Sequence, residues 1–131
     1  MNMKPKMVIV VVRGLNMRKG KIAAQVGHAC SALFTDRIDP KTGTLNYQLS
    51  PLESAWVDPE LGNRAKIVVA VDTTADLQRL MGLADVMGIA HYPVIDVGHT
   101  EFHGVPTLTC CAFGPDSSEN LDPITGSLKL I

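Results

Sequence analysis

The apolar positions of this chain fall into a few runs of clear period, and the densest comes first. Met7 to Val12 (MVIVVV) is continuous and β-branched, the pattern of a central strand covered on both faces. Arg13 to Gly20 reads as a strand-to-helix loop, and the periodicity then predicts a helix to about Phe34. At 3.6 residues per turn, Ile22, Val26, Ala29 and Leu33 form one stripe of that helix. Lys21, Gln25 and His28 form a second stripe about 100° round it. One stripe suits packing on a sheet, while the other presents an amine, an amide and an imidazole together, which suits a polar ligand. The plain alternative is a solvated face beside a core face.

Beyond Phe34 the pattern is lost. Thr35 to Asn63 holds three prolines and turn residues such as DPKTG and DPELG, and reads as a long irregular connection. A short helix near Leu52 to Val57, carrying Trp56, interrupts it. Ala65 to Val71 (AKIVVAV) is a second buried strand. Thr73, with Asp76 three residues on, caps a second long helix. Leu77, Leu80, Met81 and Ala84 are its inner stripe, and Gly88 closes it. Ala90 to Val97 is a third strand, which Pro93 confines to an edge or a bulge. Pro106 to Phe113 is a fourth, with Thr107, Thr109 and Cys111 on one face, and Gly114-Pro115 is expected to break it. Asp116 to Gly126 reads as turns, and Ser127 to Ile131 as an apolar tail that packs down. The order β-α-(connection)-β-α-β-β predicts one α/β domain over residues 1–131. Its expected architecture is a three-layer α/β/α sandwich around a four-stranded mixed sheet.

Composition narrows the function classes. A hydrophobic fraction of 46% and a charged fraction of 19% over 131 residues fit a globular domain with one core. The apolar run at residues 7–12 is far too short to span a bilayer, and no small-residue cleavage site follows it, so no export is expected. Cys30, Cys110 and Cys111 make a poor disulfide framework and point to a reducing cytoplasm. There is no CxxC and no paired His/Cys spacing of a zinc site. The net charge of −1 alone argues against a nucleic-acid binder, but its distribution says otherwise. Lys4, Lys6, Arg13, Arg18, Lys19 and Lys21 lie in a first quarter that has no acid, while the remainder carries thirteen acidic side chains. Such polarity steers a phosphate-bearing partner to one surface, and Arg18, Lys19 and Lys21 sit beside a helix start, where free amides favour anions. The loop is not a Walker A motif.

Several stretches then fall into a recognisable order: KMVIVVVR (6–13), KGKIAAQ (19–25) with His28-Ala29, AKIVV (65–69), DVGHTE (96–101), FGP (113–115) and ITGSLKLI (124–131). In this the chain resembles the peptidyl-tRNA hydrolase 2 family over nearly its whole length. The resemblance implies an α/β fold with a four-stranded mixed sheet, a homodimer, and hydrolysis of the ester joining a peptide to the tRNA 3′ ribose. It implies no metal and no organic cofactor. The family's lysines match Lys19 and Lys21, its glutamine and histidine Gln25 and His28, its aspartate Asp96, and its threonines Thr100 and Thr109. Catalysis is thus expected from Lys21, Asp96, Thr100, Thr109 and His28, and substrate binding from Lys19, Gln25, Arg18, Arg13 and His99. Four features depart from the family pattern. The loop after Arg13 is one residue shorter and lacks its acid, Gly27 replaces a serine, His99 replaces an arginine, and the connection 35–64 is longer.

Ester hydrolysis needs a positioned water and a stabilised oxyanion. Asp96 at a strand end could orient or deprotonate water, Lys21 could hold it ionised, and the threonine hydroxyls could position water or the ester oxygen. The plain alternative makes Asp96 a turn cap and Lys21 its surface ion pair. Adjacent strand cysteines point to opposite faces, which argues against Cys110 or Cys111 as nucleophile. Two other classes stand beside the esterase: a non-catalytic RNA- or nucleotide-binding relative, and a protein-binding module acting through residues 35–64.

Overall fold

The computed structural model describes residues 4–98 and 102–131. The chain runs β1 (Pro5–Val12), a 3-10 turn (Arg13–Leu15), α1 (Lys19–Thr35), β2 (Ile38–Asp39), β3 (Thr44–Leu45) and α2 (Pro51–Val57). It continues with β4 (Lys66–Val71), α3 (Thr74–Met87), β5 (His91–Asp96), β6 (Thr107–Ser117), α4 (Ser118–Thr125) and β7 (Lys129–Leu130). The main sheet is ordered β5-β6-β1-β4-β7. β1 is parallel to β4 and antiparallel to β6, β6 is antiparallel to β5, and β4 is antiparallel to β7. Hence β1, β4 and β5 point the same way and end at one rim of the sheet.

β1 is the central strand that its composition predicts. Val8, Val10 and Val12 face one core with Leu77 and Ala84 of α3 and Leu121 and Ile124 of α4. Met7, Ile9 and Val11 face the other, with Ala29, Ala32 and Leu33 of α1 and Trp56 of α2. Two apolar layers, one on each side of β1, are what a continuous β-branched run requires. Thr73 and Asp76 form the expected capping box, and Pro93 lies on the edge strand β5. No helix among the described residues is long and apolar enough to cross a membrane.

The structure corrects the sequence reading in four places. Among the described residues the main sheet has five strands, not four. The fifth, β7, pairs Val69 with Leu130 and Ala70 with Lys129 through the backbone, while Leu130 stays 73% exposed. The tail therefore adds a strand, and of its apolar side chains Leu128 packs against the core. β6 does not stop at Gly114-Pro115 but continues to Ser117, re-pairing Pro5 with Ser117 after a register shift that absorbs the missing donor of Pro115. Residues 118–125 form α4, capped by Ser117 and anchored by buried Leu121 and Ile124. Finally, the connection contains the short β2–β3 hairpin as well as α2. It is tied down locally. Glu53 accepts from the Ser50 amide at 2.7 Å and the Tyr47 hydroxyl at 2.8 Å, Arg37 stacks 4.3 Å from the Tyr47 ring, and the Trp56 indole donates to the Ala65 carbonyl at 2.9 Å.

Candidate active site

The rim where the parallel strands end is where open α/β sheets bind ligands. Asp96 is the last residue of β5, and α1 packs across β5, β6 and β1 with its N-terminal turns at that rim. The Lys21 ammonium meets Asp96 Oδ1 at 2.7 Å. Gln25, one turn further along α1, offers its amide to the same oxygen at a long 3.5 Å. The Gly98 amide donates to Asp96 Oδ2 at 2.9 Å. Gly98 has φ +86°, and a Cβ there would lie 2.5 Å from the Val105 carbonyl oxygen. Only glycine therefore lets the chain turn so tightly that its amide caps Asp96.

Behind this pair the site is closed by buried side chains. Thr109 on β6 is fully buried, and its hydroxyl donates to Gln25 Oε1 at 2.8 Å. With its oxygen so held, the Gln25 amide is left facing Asp96. The Lys21 and Asp96 side chains are 14% and 12% exposed, so the pair is shielded but opens to solvent on one side. The Phe102 ring lies 5.8 Å from the ammonium, a second electrostatic partner for the cation. The Lys21 hydrogen bond, aided by the Gly98 amide and by Gln25, holds the Asp96 carboxyl below the usual carboxylate range against the opposing effect of desolvation. Asp96 is therefore anionic at neutral pH.

The sequence-predicted residues divide into three groups. Lys21, Gln25, Thr109 and Asp96 are brought together. His28 is not: it lies on the exposed side of α1, seven residues and so about 10 Å of helix axis beyond Lys21. The helix rolls so that Gln25, Ala29, Ala32 and Leu33 are buried, which carries Gln25 inward and His28 out. Arg18 and Lys19 are exposed at the start of α1, and Arg13 pairs with Asp72 at 2.8 Å across the β1 and β4 ends. His99 and Thr100 lie outside the described residues. Cys110 and Cys111 are buried on opposite faces, and burial pushes the Cys110 thiol up to about 12 and Cys111 higher still, so neither presents a thiolate. Two contributors escaped the sequence reading. The Gly98 amide carries no side-chain signal, and Phe102 is a lone aromatic outside any period.

Thr109→Val keeps the side-chain volume and removes the hydroxyl. It is expected to cost about 1–3 kcal/mol in urea unfolding, because the buried Gln25 oxygen loses its donor. A loss within error of zero would mean that the Thr109–Gln25 bond contributes nothing to holding the site.

A family model described as peptidyl-tRNA hydrolase PTH2 matches residues 5–131. A peptidyl-tRNA hydrolase of Haloquadratum walsbyi is 42% identical over 125 residues, 95% of this chain and 98% of that protein. One of Thermoplasma acidophilum is 40% identical over 129 residues, 98% and 100% of the two chains. A third, of Methanothermobacter thermautotrophicus, is 36% identical over 126 residues, 96% and 99%.

Proposed function

The chain belongs to the peptidyl-tRNA hydrolase PTH2 family, and on that footing we propose that it hydrolyses the ester of peptidyl-tRNA with Lys21 and Asp96 at the reacting atoms. The observation that supports this assignment of residues is the shielded 2.7 Å pair at the strand rim, open to solvent on one side and braced from behind by Gln25 and Thr109. Water attacks the ester carbonyl carbon, negative charge develops on the carbonyl oxygen, and the bond to the ribose oxygen then breaks. The products are a tRNA with a free 3′ hydroxyl and a peptide carboxylic acid that ionises. Lys21, a cation in a poorly hydrated site, stabilises the oxyanion as it forms.

The lowered pKa of Asp96 bears on its role. A general base works best with a pKa near the working pH, and Asp96 is displaced away from it. We therefore assign Asp96 first to orienting the water and fixing the Lys21 ammonium, and only then to receiving a proton in the transition state. Gln25 and Thr109 are positioning residues. Thr100 stays among the catalytic residues of the same reading, and Lys19, Arg18, Arg13 and His99 belong to its substrate side. The family resemblance also favours a homodimer of single-domain chains working on tRNA in the cytoplasm.

The test is release of deacylated tRNA from a labelled N-acetyl-aminoacyl-tRNA by the purified chain. Multiple turnover is the expected result. A folded protein that binds tRNA with strong salt dependence but releases none would instead be a non-catalytic RNA-binding relative.

A further inference from the structure

The rim that carries Asp96 does not end there. β1 and β4 finish on it too, so Arg13, Asp72 and Asp96 lie along one edge of the sheet. With strands about 4.8 Å apart, Arg13 stands roughly 10 Å from the β5 end and β7 roughly 20 Å from it. The far part of the rim is an open cleft of about 360 Å³, lined among others by Arg13, Asp72, Asp76, Arg79, Ser127 and Lys129.

Three cations meet two acids in this cleft, and the pairing leaves positive charge over. Asp72 takes Arg13 at 2.8 Å. Asp76 reaches Arg79 only at 3.5 Å and also accepts from the Thr73 amide at 3.2 Å. Lys129 enters none of the ion pairs found among the described residues. The positions of two of the cations are set by the backbone. The Gly14 amide donates to the Asp72 carbonyl at 3.0 Å, and a Cβ on Gly14 would lie 2.1 Å from that oxygen, so Arg13 is clamped over the end of β4. Lys129 is held opposite Ala70 by the β4–β7 pairing. The fifth strand thus delivers a lysine to the rim.

We propose that the cleft formed by Arg13, Arg79 and Lys129 is a backbone-binding surface for the tRNA, taking phosphates upstream of the 3′ nucleotide whose ester sits at Asp96. Arg13 and Lys129 come from strands separated by β4, roughly 10 Å apart at the backbone, and Arg79 comes from α3, so the positive charge is spread over the cleft. A repeating polyanion satisfies such a spread, and a single small anion does not. The inference rests on the hydrolase reading for its choice of tRNA. It adds Arg79 and Lys129 to the substrate-binding residues, and it makes the acids of the cleft the devices that hold Arg13 and Arg79 in place.

The experiment uses the full chain and the double variant Arg79→Gln/Lys129→Gln, which keeps two exposed side-chain stems, with Lys41→Gln in the β2–β3 turn as the control. Affinity for deacylated tRNA is measured from 50 to 200 mM salt, and turnover is measured on acylated tRNA and on an acylated 3′-terminal trinucleotide. The double variant should weaken tRNA binding about tenfold near physiological salt and flatten the log–log salt slope by about 1.4–1.8. It should raise KM on tRNA but not on the trinucleotide, and the control should do neither. Unchanged affinity and slope, or equal losses on the tRNA and the trinucleotide, would overturn the proposal. If the parent binds tRNA through Arg79 and Lys129 yet hydrolyses nothing, the surface stands and the hydrolase reading falls.

Discussion

Asp96→Asn should lower turnover of peptidyl-tRNA by at least about a hundredfold, the scale at which a positioned acid–base group contributes. Asparagine keeps the shape and can still accept from the Gly98 amide. What it removes is the negative charge that fixes the Lys21 ammonium at 2.7 Å and that, in the proposed mechanism, orients water. Stability should change with pH in a defined direction. The Asp96 pKa is lowered on folding, so the carboxylate stabilises the parent fully above the ordinary carboxylate value of 3.8. That contribution is lost as pH falls through the lower, folded-state value. The gap in unfolding free energy between parent and Asp96→Asn should therefore be widest above about pH 5 and close towards pH 2. Urea unfolding at the two pH values reads it directly. Full turnover in the variant would remove Asp96 from the chemistry and leave it as the turn cap it also is.

Lys21→Met should act on the rate with a different signature. The methionine retains the apolar stem against Phe102 and deletes the cation. Loss of one oxyanion-stabilising donor costs about 100- to 1,000-fold in kcat, and that is the expected fall here. The acid limb of the pH–rate profile should also move up, because the largest influence holding the Asp96 carboxyl low has gone. A fall in rate with an unmoved acid limb would mean that Lys21 acts on the substrate alone. An unchanged rate would return the Lys21–Asp96 contact to the status of an ordinary ion pair.

What could be read from the chain beforehand follows from the range of each signal. β1 announces itself because a strand buried on both faces needs six apolar residues in a row. The Thr73–Asp76 box and the edge proline of β5 are local devices, carried within a few residues. β7 was missed because it consists of backbone pairing to β4, some sixty residues away in sequence, and its exposed Leu130 imitates a packing residue. α4 hides behind Pro123 and the polar Ser118, Glu119 and Asn120, and its contacts to β6, β1 and α3 give it a buried side. At the site, helix periodicity put Lys21, Gln25 and His28 on one stripe. The structure splits that stripe because the roll of α1 is set by what it packs on, and a wheel drawn from sequence contains no such information. The alliance of Gln25 with Thr109 spans 84 residues and is a product of tertiary structure alone.

The position of β1 has a consequence for how the chain is made. Its hydrogen-bonding neighbours, β4 and β6, are encoded at residues 66–71 and 107–117. The most apolar segment is thus synthesised before either flank, and its second flank, β6, follows about a hundred residues later. Until β6 has been made, MVIVVV has no partner strand on at least one side, the kind of open apolar edge that invites association with other chains. The lysines at positions 4 and 6 that precede it are the gatekeepers such a segment calls for. Lys6, which pairs with Asp122 at 3.1 Å in the finished fold, thereby acquires a second use during synthesis.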